Sequence, residues 1–379
     1  MFEKAPEDWE VVEIKKVCEF IRGTEPGSRT YNTEGIGYKF IRVSDLSKQI
    51  LEPVFTKEEK DKLVFCNKDD ILLALDGVPG IVNKGFEGAI SSGIRIVKPK
   101  IPNMDKEFLF YILQHRIVQK IIENYTTGTT IKHASRAIDF IKIPLPPLLE
   151  QKAIAQILST VDEAIQKVDE IIAKTERLKK GLMQKLLTKG IGHKEFKDTE
   201  IGRIPKEWEV VKVGEILSLQ YGKGLPERER VFGQYPVVGS NGIVDYHTQA
   251  LVKGPGIVVG RKGTIGAVSW IDRDFWPIDT TYYVKPKTTN ISLRWLFYEL
   301  TYLNPARFHL ADVVPGLKKE LVYSLKMPFP PLLEQEKIAE ILSTIDKKLE
   351  FERKRKEKLE KIKKGLMNDL LTGRKRVKL

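Results

Sequence analysis

Arginine, lysine, threonine, serine, asparagine and tyrosine gather in glycine-bearing stretches at two places in this 379-residue chain. In the first place the stretches are Arg22-Gly23-Thr24, Ser91-Ser92-Gly93-Ile94-Arg95 and Tyr125-Thr126-Thr127-Gly128-Thr129-Thr130-Ile131-Lys132. In the second they are Tyr221-Gly222-Lys223-Gly224, Gly239-Ser240-Asn241-Gly242, Arg261-Lys262-Gly263-Thr264 and Gly316-Leu317-Lys318-Lys319. Guanidinium and ammonium groups meet phosphates and guanine, amides and hydroxyls meet base edges, and glycine lets a backbone come close. Arg22, Thr24, Ser92, Arg95, Thr127, Thr129, Lys132, Tyr221, Lys223, Ser240, Asn241, Arg261, Lys262, Thr264, Lys318 and Lys319 are therefore candidate DNA contacts. Any one stretch by itself reads first as an ordinary surface loop. Recurrence at matching places, such as Gly128 and Gly316 each ahead of a lysine, favours nucleic acid for the set.

Catalysis would need a constellation that the chain does not spell. No G-x-x-x-x-G-K-[ST] stretch is present to cradle a triphosphate. Gly254-Pro255-Gly256-Ile257-Val258-Val259-Gly260 is one residue too long for G-x-G-x-x-G and reads as a strand-entry loop. Pro146-Pro147 follows Leu145, which offers no acceptor for a base amino group, so no amino-methyltransferase motif is expected there. His115, His133, His193, His247 and His309 are scattered without metal-ligand spacing, and Cys18 and Cys66 read as core thiols. Neither a catalytic site nor a metal site is expected.

The net charge of +13 permits a polyanionic partner without demonstrating one. Residues 332–379 hold 15 basic and 9 acidic groups, the largest excess of any segment, and Arg374-Lys375-Arg376-Val377-Lys378 reads as a solvated face or a disordered end. No apolar run approaches the roughly 20 residues of a membrane span, and the first residues lack the layout of a secretory signal. A cytoplasmic protein is expected.

What must position the loops is a repeated framework. Residues 144–187 and 328–371 align without a gap and are identical at 23 of 44 positions, so the chain is a duplication. PLPPLLEQ answers PFPPLLEQ, KKGLM recurs from Lys179 and Lys363, and PEDWEVV from Pro6 answers PKEWEVV from Pro205. Between these segments the matches thin out to pieces such as Asp76-Gly77 with Lys262-Gly263. One scaffold carrying two different reading heads fits this pattern, and so does an old duplication with drifting cores.

After each Pro-Pro pair the apolar residues recur at steps of three and four. The first helix has Ile154, Leu158, Val161, Ile165, Val168 and Ile172, then Leu178, Leu182 and Leu186 with a shift of one position. The second has Ile338, Leu342, Ile345 and Leu349, turns polar at Glu352 and Lys356, and resumes at Leu359, Ile362, Leu366 and Leu370. Helices of about 38 residues span roughly 57 Å at 1.5 Å per residue, more than one lobe covers, so the two seams are expected to bury one another. Connectivity requires the second helix to return, which makes the pair an antiparallel coiled coil with an approximate two-fold repeat. The fold class is mixed α/β (α+β). A lobe at 1–147 precedes a helical repeat with its linker at 148–199, and a lobe at 200–331 precedes a helical repeat with a basic tail at 332–379. Helices are also expected at Phe108–Ile122 and Leu293–Leu303, and strands at Asp70–Leu75 and Gly256–Val259.

The PPLLEQ entries, the helices ending in KKGLM and the Pro-x-x-Trp-Glu lobe openings resemble the specificity subunit of type I restriction-modification systems, over nearly the whole chain. That resemblance implies two target-recognition domains, each reading one half of a bipartite asymmetric DNA site, with the helices as ruler and as dock for modification subunits. It also implies that S-adenosylmethionine belongs to those partners, and ATP and Mg to restriction subunits, with no cofactor in this chain. A coiled-coil scaffold without DNA affinity or a stand-alone duplicated enzyme are the competing classes.

Overall fold

The computed structural model describes residues 6–47, 52–308 and 316–378. His309 lies outside the described residues. The chain divides into two compact units, 1–169 with 355–379 and 170–354. Each unit holds one lobe and half of each long helix, Leu148–Lys189 and Leu332–Leu370, so the helical segments form no body of their own. The stretch after the first helix also joins lobe 2, where Phe196–Thr199 pairs with Gly202–Pro205.

Inside each unit the helix halves run antiparallel. In the first, Asp162 pairs with Lys363 at 2.7 Å and Asp169 with Lys356 at 2.7 Å. In the second, Glu176 pairs with Arg353 at 2.7 Å and Lys179 with Asp346 at 2.5 Å. Ile154, Leu158, Leu366 and Leu370 pack into the core of lobe 1, and Leu182, Leu186, Ile338 and Leu342 into that of lobe 2. Val168 and Leu349 are buried, while Val161, Ile165, Ile172, Ile345 and Leu359 are half-buried.

The expected shift of the seam does not occur. Leu178 is 52% exposed and Thr175 is buried, so the heptad runs unbroken through 168, 172, 175, 179, 182 and 186. The second helix behaves alike: Ile362 is 44% exposed, Glu352 is buried, and Lys363 stands at the inward position. Thr175, Lys179 and Lys363 fit there because each has a local solution. The Thr175 hydroxyl donates to the Ile171 carbonyl at 2.7 Å. Lys363 lies 5.6 Å over the Tyr111 ring and pairs with Asp162, which accepts from the Tyr111 hydroxyl at 3.0 Å. Lys179, Tyr298 and Asp346 repeat the arrangement in the second unit, with the hydroxyl bond at 2.7 Å. In each trio the lysine comes from the other repeat's helix, which is why KKGLM recurs in both.

The other repeated motifs are clamps. Glu150 of PPLLEQ accepts from Trp9 Nε1 at 3.1 Å, and Glu334 accepts from Trp208 Nε1 at 2.8 Å. A residue following the opposite helix closes each clamp: Arg376 on Glu150 at 2.7 Å and on Asp8 at 2.8 Å, and His193 on Glu334 at 2.8 Å. The chain reaches the Trp rings through Gly190 (φ +63) and Gly373 (φ +71), where a Cβ would stand 2.7 Å from Trp208 and 2.2 Å from Pro6. Gln151 and Gln335 accept from the backbone N–H of Asp105 (2.8 Å) and Ser292 (2.9 Å), whose own side chains cap the helices Lys106–Gln114 and Leu293–Leu303. The basic tail is thus a largely exposed face whose charges are held by ion pairs through Arg376. Arg374 and Lys375 both pair with Asp369, and Arg376 is a clamp.

The lobes share one strand order. In lobe 1 it is Cys18–Arg22, Ile94–Pro99, Ile71–Ala74, Val82–Asn83; in lobe 2, Leu217–Tyr221, Thr281–Pro286, Gly256–Gly260, Val268–Ile271. All pairs are antiparallel. A second sheet of five strands in lobe 1 and three in lobe 2 adjoins in sequence, each with one parallel pair. The lobe-opening strand Glu10–Glu13 pairs with Lys142–Leu145, and Glu209–Lys212 with Lys326–Phe329, so each lobe's ends meet at the helix entry. The single helix expected at Phe108–Ile122 is two, Lys106–Gln114 and Arg116–Asn124, because His115 adopts extended geometry (ψ 138) and caps the second with its ring. Cys18 and Cys66 are buried free thiols, pushed by burial to about 12 and about 11.

One core position separates the lobes chemically. Tyr298 stands where Tyr111 does and Trp295 where Phe108 does, which sets Glu299 at the place of Ile112. Glu299 is 1% exposed, and among the described residues neither its Oε2 nor Trp295 Nε1 has a hydrogen-bond partner. Burial pushes its carboxyl well above the usual carboxylate range. An acid whose folded value is raised stabilises the fold most below the unfolded value of about 4.3, and stability falls as pH rises from there towards the folded value. Glu299→Ile should therefore stabilise the second unit at neutral pH by about 1–3 kcal/mol. It should also flatten the decline of unfolding midpoint as pH rises above the unfolded value of about 4.3. A variant with the parent's slope would remove Glu299 as its source.

Candidate nucleic-acid interface

The candidate loops converge at one end of each four-stranded sheet. In lobe 1, the strand ending at Arg22 turns at Gly23, where a Cβ would lie 2.1 Å from the Ser91 carbonyl. Beside it, Ile71–Ala74 runs out through Leu75 to Asp76-Gly77, which pairs with His133 and Lys132. Thr127 and His133 exchange backbone bonds at 2.9 and 2.8 Å, closing a finger whose tip is Gly128 to Ile131. Gly128 has φ +94 with a would-be Cβ 2.1 Å from the Ile131 carbonyl, so the finger needs glycine. Thr127, Thr129 and Lys132 are exposed on it, as is Arg22 beside it, and Ser92 is half-exposed.

Two lobe 1 candidates stand elsewhere than expected. Arg95 is 5% exposed, and its guanidinium donates to the Ser92 carbonyl (2.6 Å), to Ser135 Oγ (2.8 Å) and to Asp76 (3.4 Å). It is an internal strut. The Thr24 hydroxyl is buried without a hydrogen-bond partner among the described residues. The Arg95 side chain turns inward onto Ser92, Asp76 and Ser135 instead of reaching the surface.

In lobe 2, Gly222 repeats the tight turn, with a would-be Cβ 2.1 Å from the Ile278 carbonyl. Around it, Arg261 lies 5.1 Å and Lys319 3.9 Å from the centre of the exposed Tyr221 ring, and Lys319 lies 5.2 Å from that of Tyr282. Arg261 donates to the Asp279 carbonyl at 3.0 Å. Lys262, Thr264, Asn241 and Lys318 are exposed, and Ser240 Oγ stands 3.1 Å from the place of a Gly263 Cβ. Lys223 sits apart over Trp276, at 5.9 Å.

Ladder partners make the two ends comparable residue by residue. Arg22 pairs with Arg95 as Tyr221 pairs with Tyr282, and Ala74 pairs with Ile94 as Gly260 pairs with Thr281. Asp76 of lobe 1 therefore stands where Lys262 does in lobe 2. Ala134 N–H donates to the Leu75 carbonyl at 2.7 Å, and Leu317 N–H to that of Arg261 at 2.8 Å. That equivalence places Gly316 level with His133, so the expected match of Gly316 with Gly128 does not hold. Asp76 and His133, which the sequence reading does not single out, are brought together at this same end. The signal was Asp76-Gly77 answering Lys262-Gly263.

Among the described residues no group of three or more His, Cys, Asp or Glu is placed to hold a metal ion, and no helix is long and apolar enough to cross a membrane. The family model "Type I restriction modification DNA specificity domain" matches residues 6–177 and again 205–361. The type I restriction enzyme MjaVIII specificity subunit of Methanocaldococcus jannaschii is 33% identical, over 99% of this chain and 95% of its own. The crystal structure of the type I restriction-modification S subunit from M. genitalium superimposes with a TM-score of 0.69 at 20% identity, covering 97% of both chains. A chain from a structure describing complex assembly and conformational transition of the type I system gives 0.55 at 18% identity, over 97% and 98%.

Proposed function

Because this chain belongs to the specificity subunits of type I restriction-modification systems, with two target-recognition domains, we propose that each lobe reads one half of a bipartite, asymmetric DNA target. One observation carries the reading: a single strand order places Arg22, backed by the buried Arg95, and Asp76 at the end of one lobe's sheet, and Tyr221, backed by the buried Tyr282, and Lys262 at the same positions in the other. Loops of different hydrogen-bonding character on one scaffold select different bases. The long helices then set the distance between half-sites and dock modification subunits. Those partners bring S-adenosylmethionine and methylate adenine, and restriction subunits bring ATP, Mg and cleavage. This chain does no chemistry itself and works in the cytoplasm.

The test is selection of bound sequences from randomised duplex DNA by the full chain with its modification partners. Two sequence-constrained half-sites around an unconstrained spacer are expected, and a single or symmetric site would contradict the reading. Within it, Arg261→Ala should cost about 1–3 kcal/mol and relax one position in one half-site, as loss of a guanine contact does. Lys318→Ala should weaken all sequences alike and lower the salt slope by about one. Unchanged affinity in both variants would remove the lobe 2 loops from the interface.

A further inference from the structure

At the reading end of lobe 1, an open pocket of about 580 Å³ is lined by Arg22, Tyr31, Phe40, Arg42, Ser92 and His133 among others. Most of its polar groups are committed to the protein. Arg42 is held by Asp45 at 2.9 and 3.1 Å and donates to the Glu52 carbonyl. Arg22 Nε donates to the Ser92 carbonyl at 3.2 Å. The Tyr31 and Ser92 hydroxyls both donate to Glu25, at 2.6 and 3.1 Å.

His133 differs. Its side chain is 58% exposed, and Nδ1 lies 2.8 Å from Asp76 Oδ1. The other oxygen of Asp76 faces the buried Arg95 guanidinium at 3.4 Å. A carboxylate only accepts, so Nδ1 carries the proton of that bond, and in the uncharged ring that tautomer leaves Nε2 as an acceptor. Among the described residues Nε2 has no hydrogen-bond partner. Arg95 and Asp76 are thus a buried support that fixes both the orientation and the hydrogen-bond polarity of one exposed ring.

We propose that His133 is a base-reading residue of lobe 1, and that Asp76, braced by Arg95, makes it an acceptor that selects a base bearing an exocyclic amino group. In the major groove those groups are adenine N6 and cytosine N4, whereas guanine and thymine show acceptors there. Lobe 2 carries Lys262 at the Asp76 position, a donor with the opposite preference. The proposal rests on the reading of each lobe as a half-site reader. Asp76 is a positioning residue, because it acts through the ring.

The experiment is selection from randomised duplex DNA by the full chain with its modification partners, comparing the parent with His133→Ala, His133→Lys and Asp76→Asn, each checked for an unchanged unfolding profile. In the parent, one base pair of one half-site should show adenine or cytosine on the strand facing lobe 1. His133→Ala should reduce discrimination at that pair about five- to a hundredfold and leave the other half-site alone. His133→Lys, which can only donate, should shift the preferred base there to guanine or thymine. Asp76→Asn frees the ring to take either tautomer and should relax the amino-bearing preference with overall affinity retained, a change that a merely structural Asp76 would not produce. His133→Ala with the parent's preferences at every position would overturn the inference while leaving half-site reading intact. A parent that selects no sequence at all would instead overturn half-site reading, and this inference with it.

Discussion

A chain carrying one extra heptad between Asp169 and Glu170 and another between Lys354 and Arg355 is expected to prefer a DNA spacer about three base pairs longer, with both half-sites unchanged. The two positions are the boundaries of the compact units, so each lobe keeps its own helix halves and clamps. Seven residues preserve the phase of the seam, which the structure shows to run as an unbroken heptad through Thr175 and Lys179 and through Glu352 and Lys356. They add about 10 Å of helix at 1.5 Å per residue, close to three base pairs at 3.4 Å. Three base pairs also turn the far half-site by roughly 100°, so affinity should fall unless the coil or the DNA takes up the rotation. Binding selection on a library of spacer lengths measures the preferred distance. A folded double insertion that keeps the parent's spacer would show that contacts between lobes and DNA, not helix length, fix the distance. An insertion in one helix alone should bulge or unfold.

The clamp predicts a large effect on stability. Glu150 is 2% exposed and joins Trp9 Nε1, Arg376 and, through Arg376, Asp8. Glu150→Ala leaves a buried indole N–H without an acceptor and an arginine without its inner partner. The expected cost to the first unit is about 2–4 kcal/mol, since buried charge-assisted bonds are strong but Arg376 retains Asp8 and solvent. Glu150→Gln keeps an acceptor for Trp9 and should cost less. Two-transition denaturation curves should show only one transition displaced, and equal displacement of both, or of neither, would contradict the clamp.

Much of the architecture was legible in the sequence because duplication writes every framework residue twice. The glutamate and glutamine of PPLLEQ, the tryptophan of each lobe opening and the first lysine of KKGLM recur, and each proves to hold a lobe to a helix. What the sequence concealed followed from packing. Leu178 looked like a seam residue because leucine is apolar, yet Thr175 is buried there since it can bond its own helix at Ile171. Arg95 looked like a DNA contact because it ends a glycine-bearing loop, yet its ladder partner is Arg22 and its side chain turns inward onto Asp76 and Ser135. His133 was passed over because a histidine without ligand spacing carries no signal. Only pairing across the sheet brings Asp76 to it, 57 residues away. Within the tail, the charge of Arg376 hid a contact with Asp8 across 368 positions of sequence.

The claim that two different reading heads share one frame is tested most directly by exchanging a single lobe. Residues 200–331 would be replaced by the corresponding lobe of a relative, with the clamps at His193, Glu334 and Gln335 retained. Methylated adenines would then be mapped on genomic DNA from cells co-expressing the chimera and its modification partners. One half of the recognition sequence should change while the other half and the spacer stay as they were. Change in both halves, or in neither, would contradict the account.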